Sequence, residues 1–317
     1  MGMVRMGQLY SAVLLMTGLA AGMFGLSWRF TRGVSIHRLN LLALAVVALL
    51  VVYVCCVWDQ WWLAQLLPFS SLPVLSNWLP LWAGGLAAIV ARRLAGDPWR
   101  QGSFVGALFL VAESSLLVPL FGSPPACGQV WTADGICLQT TPATCSAACA
   151  ATLLRLRGIA ATEQEMAELC LTRHGTTWQG LYRGLKAKTA GTGWDVEVSR
   201  GDLHTLQALS GEPVILRVGL ARGARVPTEL VQEMGWRPGT GHSVLFLGFL
   251  PHRQIEVADP SPGIGREQWP VEDLATLWDG QIVRLVPRSA SPSSTAERQV
   301  SLAPHVSAAT SSGRGSR

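Results

Sequence analysis

Apolar runs separated by short polar connections make up roughly the first 120 residues of the chain, and a mixed apolar and polar pattern follows. Four of these runs approach the length of about 20 residues that a helix needs to cross a bilayer. Pro73 and Pro80 interrupt the third run. The pattern therefore predicts an all-α membrane region at residues 1–125 with about four transmembrane helices, at residues 9–28, 39–57, 72–90 and 103–120.

The first run also has the position of a secretory signal peptide. It has no basic start beyond Arg5, and no clear small-residue cleavage site follows it. Signal peptides normally carry both features. We therefore interpret this run as a retained transmembrane helix.

Basic residues lie in the first and third connections between the runs. The second connection, residues 58–71, contains the acidic Asp59 and no basic residue. The six basic residues are Arg29, Arg32, Arg38, Arg92, Arg93 and Arg100. Because Lys and Arg are enriched in cytoplasmic loops, connections one and three are expected in the cytoplasm. The chain is then a multi-pass protein of the cytoplasmic (inner) membrane, and its C-terminal part is periplasmic or extracellular.

Tryptophans surround the second connection and fit an aromatic belt near the outer membrane interface. They are Trp58, Trp61, Trp62, Trp78 and Trp82. One carboxylate, Glu113, falls within the fourth run, where an unpaired charge is costly. It is either a functional group inside the helix bundle or a protonated or hydrogen-bonded packing residue, and we favour packing.

Residues 126–288 contain both helical and strand patterns. Helices are expected from Cys145, after Thr162 to about Leu171, after Thr176 or Thr177, and between Asp202 and Leu209. Strands are expected at residues 213–218, 242–250, 254–258 and 281–286. Helices followed by an antiparallel sheet indicate an α+β domain. Residues 289–317 are rich in Ser, Ala, Pro and Thr, which predicts a disordered tail.

The first helix of this domain carries the candidate nucleophile. A thiol at a helix start, such as Cys145, is favoured as a thiolate by the helix dipole. Gln139 lies six residues upstream, where its amide can donate a hydrogen bond to the oxyanion of a tetrahedral intermediate. Taken alone, the helix favours a buried core helix, since free cysteine is often buried, and only the rest of the chain changes this interpretation.

His242 is the histidine best placed to serve this thiol. It follows Gly241 and opens the strongest predicted strand, whereas His204 and His252 are expected to be solvated, and His174 lies in a loop. A hairpin around residues 250–253 brings His242 opposite Asp259. Asp259 is then able to bind one ring nitrogen and orient the other toward Cys145.

The spacing of these four features resembles that of the bacteriocin-processing cysteine peptidases, which remove double-glycine leaders within transporters. The resemblance lies in Gln-x5-Cys, Cys-Ser-Ala-Ala-Cys, Gly-His-Ser-Val and Asp-Pro, with weaker matches at Gly158-Ile159, Gly175-Thr176-Thr177 and Trp278-Asp279-Gly280. It implies a papain-like fold with no cofactor. It also implies that Cys145 is the nucleophile, His242 the base, Asp259 its orienting residue and Gln139 the oxyanion donor.

The sequence departs from that family in one motif and in its expected location. Ser146-Ala147 follows the cysteine where the family usually has Gly-Pro, and no phosphate-binding glycine loop is present in the chain. The family acts in the cytoplasm, whereas the charge bias places this domain outside. We therefore expect a membrane-anchored cysteine peptidase that acts on a different peptide or protein substrate.

Two further readings remain open. The domain could be a catalytically silent peptidase-like module that binds a peptide or a protein partner. Alternatively, the chain could be a membrane sensor or assembly protein with a regulatory outer domain and an unknown membrane partner. Loss of function after mutation of Cys145 favours the enzyme, whereas loss after mutation of Glu113 alone favours the sensor.

The remaining composition narrows the partners and cofactors. A net charge of +5 without a basic cluster among aromatics predicts no nucleic-acid binding. The cysteine spacing matches no common zinc site. Cys127 and Cys137 are close enough in sequence to form a disulfide in an oxidising compartment, and Cys149 could pair with Cys170 or stay free.

Overall fold

The computed structural model describes residues 2–209, 211–223 and 236–288, with side chains from residue 7 onward. The predicted disordered tail, residues 289–317, lies outside the described residues. Within them, the chain forms a helical part followed by a part that mixes helices with a sheet. The predicted boundary between these parts, at about residue 125, stays a prediction.

Four helices of the first part are long and apolar enough to cross a membrane, as predicted. The candidate spans are Gly7–Phe30, Ile36–Cys56, Leu72–Arg93 and Pro98–Leu120. The helices themselves are α1 (Gly2–Phe30), α2 (Ile36–Cys56), α3 (Leu63–Leu66), α4 (Leu72–Leu75), α5 (Leu79–Arg93) and α6 (Pro98–Leu117). Leu14, Leu41 and Leu110 are each more than two-thirds exposed, as expected of a surface that faces lipid.

The third span is broken into α4 and α5, at the position that its prolines predict. Pro73 and Pro80 each lie in the first turn of a helix, where the missing proline N–H removes no intrahelical hydrogen bond. The break between the helices is held by Tyr53, whose hydroxyl donates to the carbonyl of Ser76 at 2.5 Å and accepts from the N–H of Trp78 at 2.9 Å.

Helices α1 and α5 pack closely against each other where Gly84 of α5 meets Ala20 of α1. A Cβ at Gly84 would overlap the carbonyl oxygen of Ala20, so only glycine permits this approach. Glu113 accepts a hydrogen bond from the Thr17 hydroxyl at 2.7 Å. Its environment agrees with the favoured hydrogen-bonded packing role, although the partner is Thr17 rather than the neighbouring serines.

The tryptophan-rich second connection packs against the mixed part of the chain. Leu63 and Leu72 belong to the same buried cluster as the helices of that part, and Trp61 and Trp62 cover it. The Trp178 indole donates to Asp59 at 2.7 Å across this contact. These tryptophans therefore contact protein on one side, in addition to any belt at the membrane interface.

The mixed part begins with two short paired strands and three helices. These are β1 (Val130–Trp131), β2 (Cys137–Leu138), α7 (Cys145–Leu156), α8 (Glu163–Leu169) and α9 (Trp178–Lys188). The Thr162 and Thr177 hydroxyls accept hydrogen bonds from the first turns of α8 and α9, as predicted for N-caps. Asp202 forms a full capping box with Thr205 and so begins α10 (Leu203–Ala208).

A six-stranded sheet follows, with the order β3-β8-β4-β5-β6-β7. Its elements are β3 (Trp194–Arg200), β4 (Val214–Gly219), β5 (Gly241–Leu250), β6 (Gln254–Asp259), β7 (Gly265–Pro270), α11 (Val271–Leu277) and β8 (Trp278–Pro287). The ladders from β8 through β7 are antiparallel. Helix α7 packs against one face of this sheet, which confirms the predicted α+β class.

The sequence analysis missed two of these strands and one helix. In β3 the buried Val196 and Val198 alternate with Asp195 and Glu197, so a period of two was present but the charges masked it. Strand β7 is a polar edge strand that ends in Pro270, and polar edge strands have a weak pattern. Both positions are defined only by pairing with the rest of the sheet.

All seven cysteines lie within the described residues, and all are free thiols. The expected Cys127–Cys137 disulfide is therefore wrong. The Cys127 thiol points to the carbonyl of Pro125 at 3.4 Å, and the buried Cys137 thiol points to that of Leu138 at 3.9 Å. Cys149 and Cys170 are both buried and unpaired as well.

Candidate active site

Helix α7 begins at Cys145, as predicted, and most of its residues are buried. The Thr144 hydroxyl interacts with Thr141, accepting from its N–H at 3.1 Å and donating to its carbonyl at 2.9 Å, rather than capping the helix. The first amides of α7 are thus left without a side-chain acceptor. The positive end of the helix dipole favours the thiolate form of a cysteine at this position. The N–H groups of the first turn are also able to donate hydrogen bonds to an oxyanion bound there.

His242 and Asp259 form the second half of the site. Nε2 of His242 lies 2.9 Å from Oδ1 of Asp259, and the carboxylate is buried. The same oxygen accepts from the N–H of Ser261 at 2.7 Å, which fixes its direction. Because Nε2 is engaged by Asp259, Nδ1 is the ring nitrogen left for the Cys145 thiol, and the interaction of the thiol with the imidazole shifts the pKa of both groups.

The two residues meet by a different route from the one expected. Leu245 pairs with Ala258 across β5 and β6, so His242 is not directly opposite Asp259. Diagonal neighbours on one face of a sheet lie about 7–8 Å apart, a gap that an imidazole can span. The predicted contact is present, with His242 diagonal to Asp259 rather than directly opposite it.

The electrostatics of the site favour a thiolate–imidazolium pair. Burial opposes ionisation of Cys145, but the hydrogen bond and charge of His242 outweigh it, so the pKa of the thiol lies below its ordinary value. Burial also opposes protonation of His242, but Asp259 and Cys145 together raise the pKa of the imidazole to about 10. The pKa of Asp259 is lowered despite burial, because His242 and Ser261 bind the carboxylate.

Gln139 lies beside this pair. Its N–H donates to the carbonyl of Pro260 at 2.6 Å, next to Asp259, and its side chain lines the same cavity as His242. The Oε1 atom of Gln139 is buried without a hydrogen-bond partner among the described residues. The amide is therefore held in the site by the main chain rather than by contacts of its own.

Helix α7 is locked onto strand β5 by polar contacts next to the nucleophile. The hydroxyls of Ser146 and Ser243 lie 2.8 Å apart, and the Cys149 thiol donates to the carbonyl of Ser243 at 3.2 Å. Ser243 directly follows His242. These contacts fix the relative position of the thiol and the imidazole, and they give the Ser146 departure from the family motif a structural role.

A cavity of about 470 Å³ opens on the imidazole side of the site. Besides Gln139, His242 and Asp259, its lining includes Trp236, Trp269, Ile264 and Glu267. Trp236 packs edge-on against the His242 ring, with centroids 6.0 Å apart. Cys145 itself is only 9% exposed and does not line this cavity, whereas its neighbour in the site, His242, does.

The sequence analysis did not single out the cavity residues Trp236, Trp269 and Glu267. They come from a loop and from the missed strand β7, so no local pattern linked them to the site. The other histidines lie elsewhere: His174, His204 and His252 are exposed. Within the described ranges, no cluster of three or more His, Cys, Asp or Glu side chains could hold a metal ion.

Solved structures of peptidase domains are similar to about half of this chain, at low identity and low TM-score. No protein-family model matches the chain, and no curated protein does. The peptidase domain of Streptococcus ComA, a bifunctional ABC transporter involved in quorum sensing, matches with 22% identity and a TM-score of 0.38, over 48% of this chain and 96% of that one.

Two further solved structures are similar over the same part of the chain. A double glycine motif protease from the AMS/PCAT transporter, in complex with the leader peptide, has 14% identity and a TM-score of 0.36, over 52% of this chain and 95% of that one. The N-terminal peptidase C39 like domain of a toxin secretion ATP-binding protein from Vibrio parahaemolyticus has 16% identity and a TM-score of 0.33. This match covers 46% of this chain and 98% of that one. The chain thus resembles double-glycine bacteriocin-processing peptidase domains over about half of its length.

Proposed function

We propose that this protein is a membrane-anchored cysteine peptidase that hydrolyses a peptide bond on the outer side of the cytoplasmic membrane. The observation that carries the proposal is the buried arrangement at the start of α7. Cys145 meets His242 there, and the other ring nitrogen of His242 is held 2.9 Å from Asp259. A thiol, an imidazole and a buried carboxylate in this order are the requirements for an activated cysteine nucleophile.

In the first half of the reaction, the Cys145 thiolate attacks the carbonyl carbon of the substrate, and the carbonyl π electrons move onto oxygen. The Gln139 amide and the first N–H groups of α7 donate to that oxyanion. When the tetrahedral intermediate collapses, the C–N bond breaks and the His242 imidazolium protonates the departing amine. A thioester between Cys145 and the acyl part of the substrate remains.

In the second half, neutral His242 accepts a proton from water, and the resulting hydroxide attacks the thioester. The second tetrahedral intermediate releases the carboxylic acid and regenerates the Cys145 thiolate beside protonated His242. Asp259 keeps the ring in one orientation and stabilises its positive form throughout. No cofactor enters these steps.

The outer location is proposed from charge and from a contact. The arginines lie in the first and third connections, which the positive-inside rule assigns to the cytoplasm. The second connection is then on the opposite side, and it contacts the peptidase-like part through Asp59 and Trp178. Segments in contact outside the bilayer share one side of the membrane. The proposed partners are accordingly the lipid bilayer and a peptide or protein substrate exposed on the outer side.

The test is the pH dependence of Cys145 alkylation by iodoacetamide in the full-length protein in detergent, with the labelled cysteine identified by mass spectrometry. An ordinary thiol titrates near pH 8.5, whereas a His-paired thiolate reacts rapidly at about pH 5. We expect rapid acid labelling of Cys145 in the wild type and its loss in His242→Ala.

His252→Ala is the matched control, because His252 is exposed in a turn far along β5 from the site. It should label like the wild type. Slow labelling with an ordinary thiol profile in both the wild type and His242→Ala would refute the enzyme and favour a peptidase-like module that only binds its partner.

A further inference from the structure

Glu163, the first residue of α8, is a fully buried carboxylate outside the proposed catalytic group. Its Oε1 accepts from the N–H of Thr140 at 2.7 Å, and its Oε2 accepts from the Thr140 hydroxyl at 2.6 Å. Among the described residues no Arg, Lys or His forms a salt bridge with it. Both carboxylate oxygens thus bind Thr140, in the segment that precedes the nucleophile, and burial together with the same carboxylate raises the pKa of the nearby Cys127 thiol.

A buried carboxylate without a cation is expensive, so the interactions it makes need a reason. A glutamine at this position presents an acceptor oxygen at one of the two oxygen positions and an NH₂ donor at the other, so one of the two Thr140 donors loses the acceptor that it has in Glu163. A carboxylate is the side chain that receives two donors at once. The two hydrogen bonds to Glu163 therefore fix both the N–H and the hydroxyl of Thr140.

Thr140 directly follows Gln139, the proposed oxyanion donor. The Gln139 N–H is fixed to Pro260, and the next N–H along the chain is fixed to Glu163. Two successive amides are thereby anchored to two separate elements, the end of β6 and the start of α8. In the part of the chain that the structure describes, the buried Oε1 of Gln139 has no hydrogen-bond partner, so the anchored main chain is the observed restraint on this residue.

We infer that Glu163 is a positioning residue that aims the Gln139 amide at the oxyanion through its paired hydrogen bonds to Thr140. This inference rests on the proposed function and adds to it a residue that touches neither substrate nor nucleophile. Its effect is on stabilisation of the tetrahedral intermediate, not on formation of the Cys145 thiolate.

Two reactions of Cys145 in the full-length protein separate these effects. Alkylation by iodoacetamide displaces iodide at a saturated carbon and generates no oxyanion. Acylation by p-nitrophenyl acetate passes through a tetrahedral oxyanion and releases p-nitrophenolate, which is measured optically after subtraction of a Cys145→Ala background. In Glu163→Gln we expect acylation to slow by about tenfold or more, with alkylation changed by less than about twofold.

Glu165→Gln is the matched control, since Glu165 lies on the same helix and binds Lys188 at 2.5–2.6 Å rather than Thr140. It should leave both reactions near wild type. Gln139→Ala should reproduce the selective loss of acylation, and the double variant Glu163→Gln/Gln139→Ala should lose little more than either single variant, because both act on one donor. Thr140→Val, which keeps the N–H and removes the hydroxyl, provides a second route should Glu163→Gln fail to fold.

The outcomes distinguish the two proposals. Equal loss of alkylation and acylation in Glu163→Gln and Thr140→Val would mean a general structural role and would overturn the inference, as would unchanged acylation in both. Absence of acid-range alkylation and of Cys145 acylation in the wild type would instead refute the peptidase function itself.

Discussion

At the scale of single residues, the chemistry of Cys145 depends on a chain of two contacts. Asp259 stabilises protonated His242, and protonated His242 stabilises the thiolate. The Cys145 pKa is lowered and the His242 pKa is raised to about 10, so both shifts favour the ion pair over the neutral pair. Each stabilisation is electrostatic and passes through a buried, low-dielectric environment, where charge interactions are strong.

Asp259→Asn is therefore expected to move the acid limb of Cys145 alkylation to higher pH without abolishing reactivity. The amide is nearly the same size as the carboxylate, but it lacks the charge that raises the His242 pKa. With a less stable imidazolium, the thiolate forms only at higher pH. The measurement is the alkylation rate of full-length protein between about pH 4 and pH 9.

The limb in Asp259→Asn should fall between the wild-type limb and that of His242→Ala. Asp134→Asn is the control, since Asp134 is a surface carboxylate that pairs with Arg266 at 3.1 Å. An unchanged profile in Asp259→Asn would show that Asp259 does not tune the pair.

At the scale of elements, α8 and α9 hold the base of α7 and the residues that precede it. The end of α8 approaches α9 so closely that a Cβ at Gly184 would overlap the Cys170 thiol, and one at Gly180 would overlap the Cys170 carbonyl oxygen. Cys170 is fully buried, so its side chain cannot move aside into solvent. Two glycines one turn apart on α9 are thus required by packing and not by backbone conformation.

Gly184→Ala should consequently destabilise the protein, although alanine is by itself the better helix former by about 1 kcal/mol. Overpacking a filled site costs about 1–3 kcal/mol, which outweighs that gain. We expect a lower midpoint of thermal unfolding for the full-length protein in detergent.

Gly193→Ala serves as the comparison, because a Cβ there meets no atom within 4 Å. Its expected effect is within about 0.5 kcal/mol. Equal midpoints for Gly184→Ala and the wild type would show that α8 and α9 separate more easily than their packing indicates.

At the scale of the whole molecule, the membrane helices and the peptidase-like part are joined by the tryptophan-rich second connection. Asp59 accepts from Trp178 at the start of α9, and the carbonyl of Trp58 accepts from Gln179 at 3.3 Å. The opposite end of the bundle carries Arg92, which donates to the carbonyl of Trp28 at 2.9 Å. Arg92 of the third connection and the contact with α9 therefore lie at opposite ends of the helices.

This polarity predicts the result of labelling intact cells with a membrane-impermeant maleimide. Gln268→Cys places a thiol on the exposed edge strand β7, and Ser35→Cys places one in the first connection. Gln268→Cys should label in intact cells, and Ser35→Cys should label only after lysis, with mass spectrometry locating the modified residue. The reverse pattern would place the peptidase-like part in the cytoplasm.

Local signals in the sequence were sufficient for most of the helices and for four of the six strands of the sheet. The length of an apolar run predicts a transmembrane helix because the thickness of the bilayer sets the number of residues that a spanning helix needs. Threonine and aspartate caps predict helix starts because they act within one turn. The set Gln139, Cys145, His242 and Asp259 was predicted from spacing and resemblance. In the structure His242 binds Asp259, and Gln139 lines the same cavity as both.

What only the tertiary structure decided are the contacts between residues far apart in sequence. The diagonal register of His242 and Asp259, the free state of Cys127 and Cys137, and the paired hydrogen bonds from Thr140 to Glu163 are of this kind. The polar strands β3 and β7 also depend on partners that local periodicity does not reveal. The physical reason is that periodicity and capping describe energies within one element, whereas these features are set by the packing of one element on another.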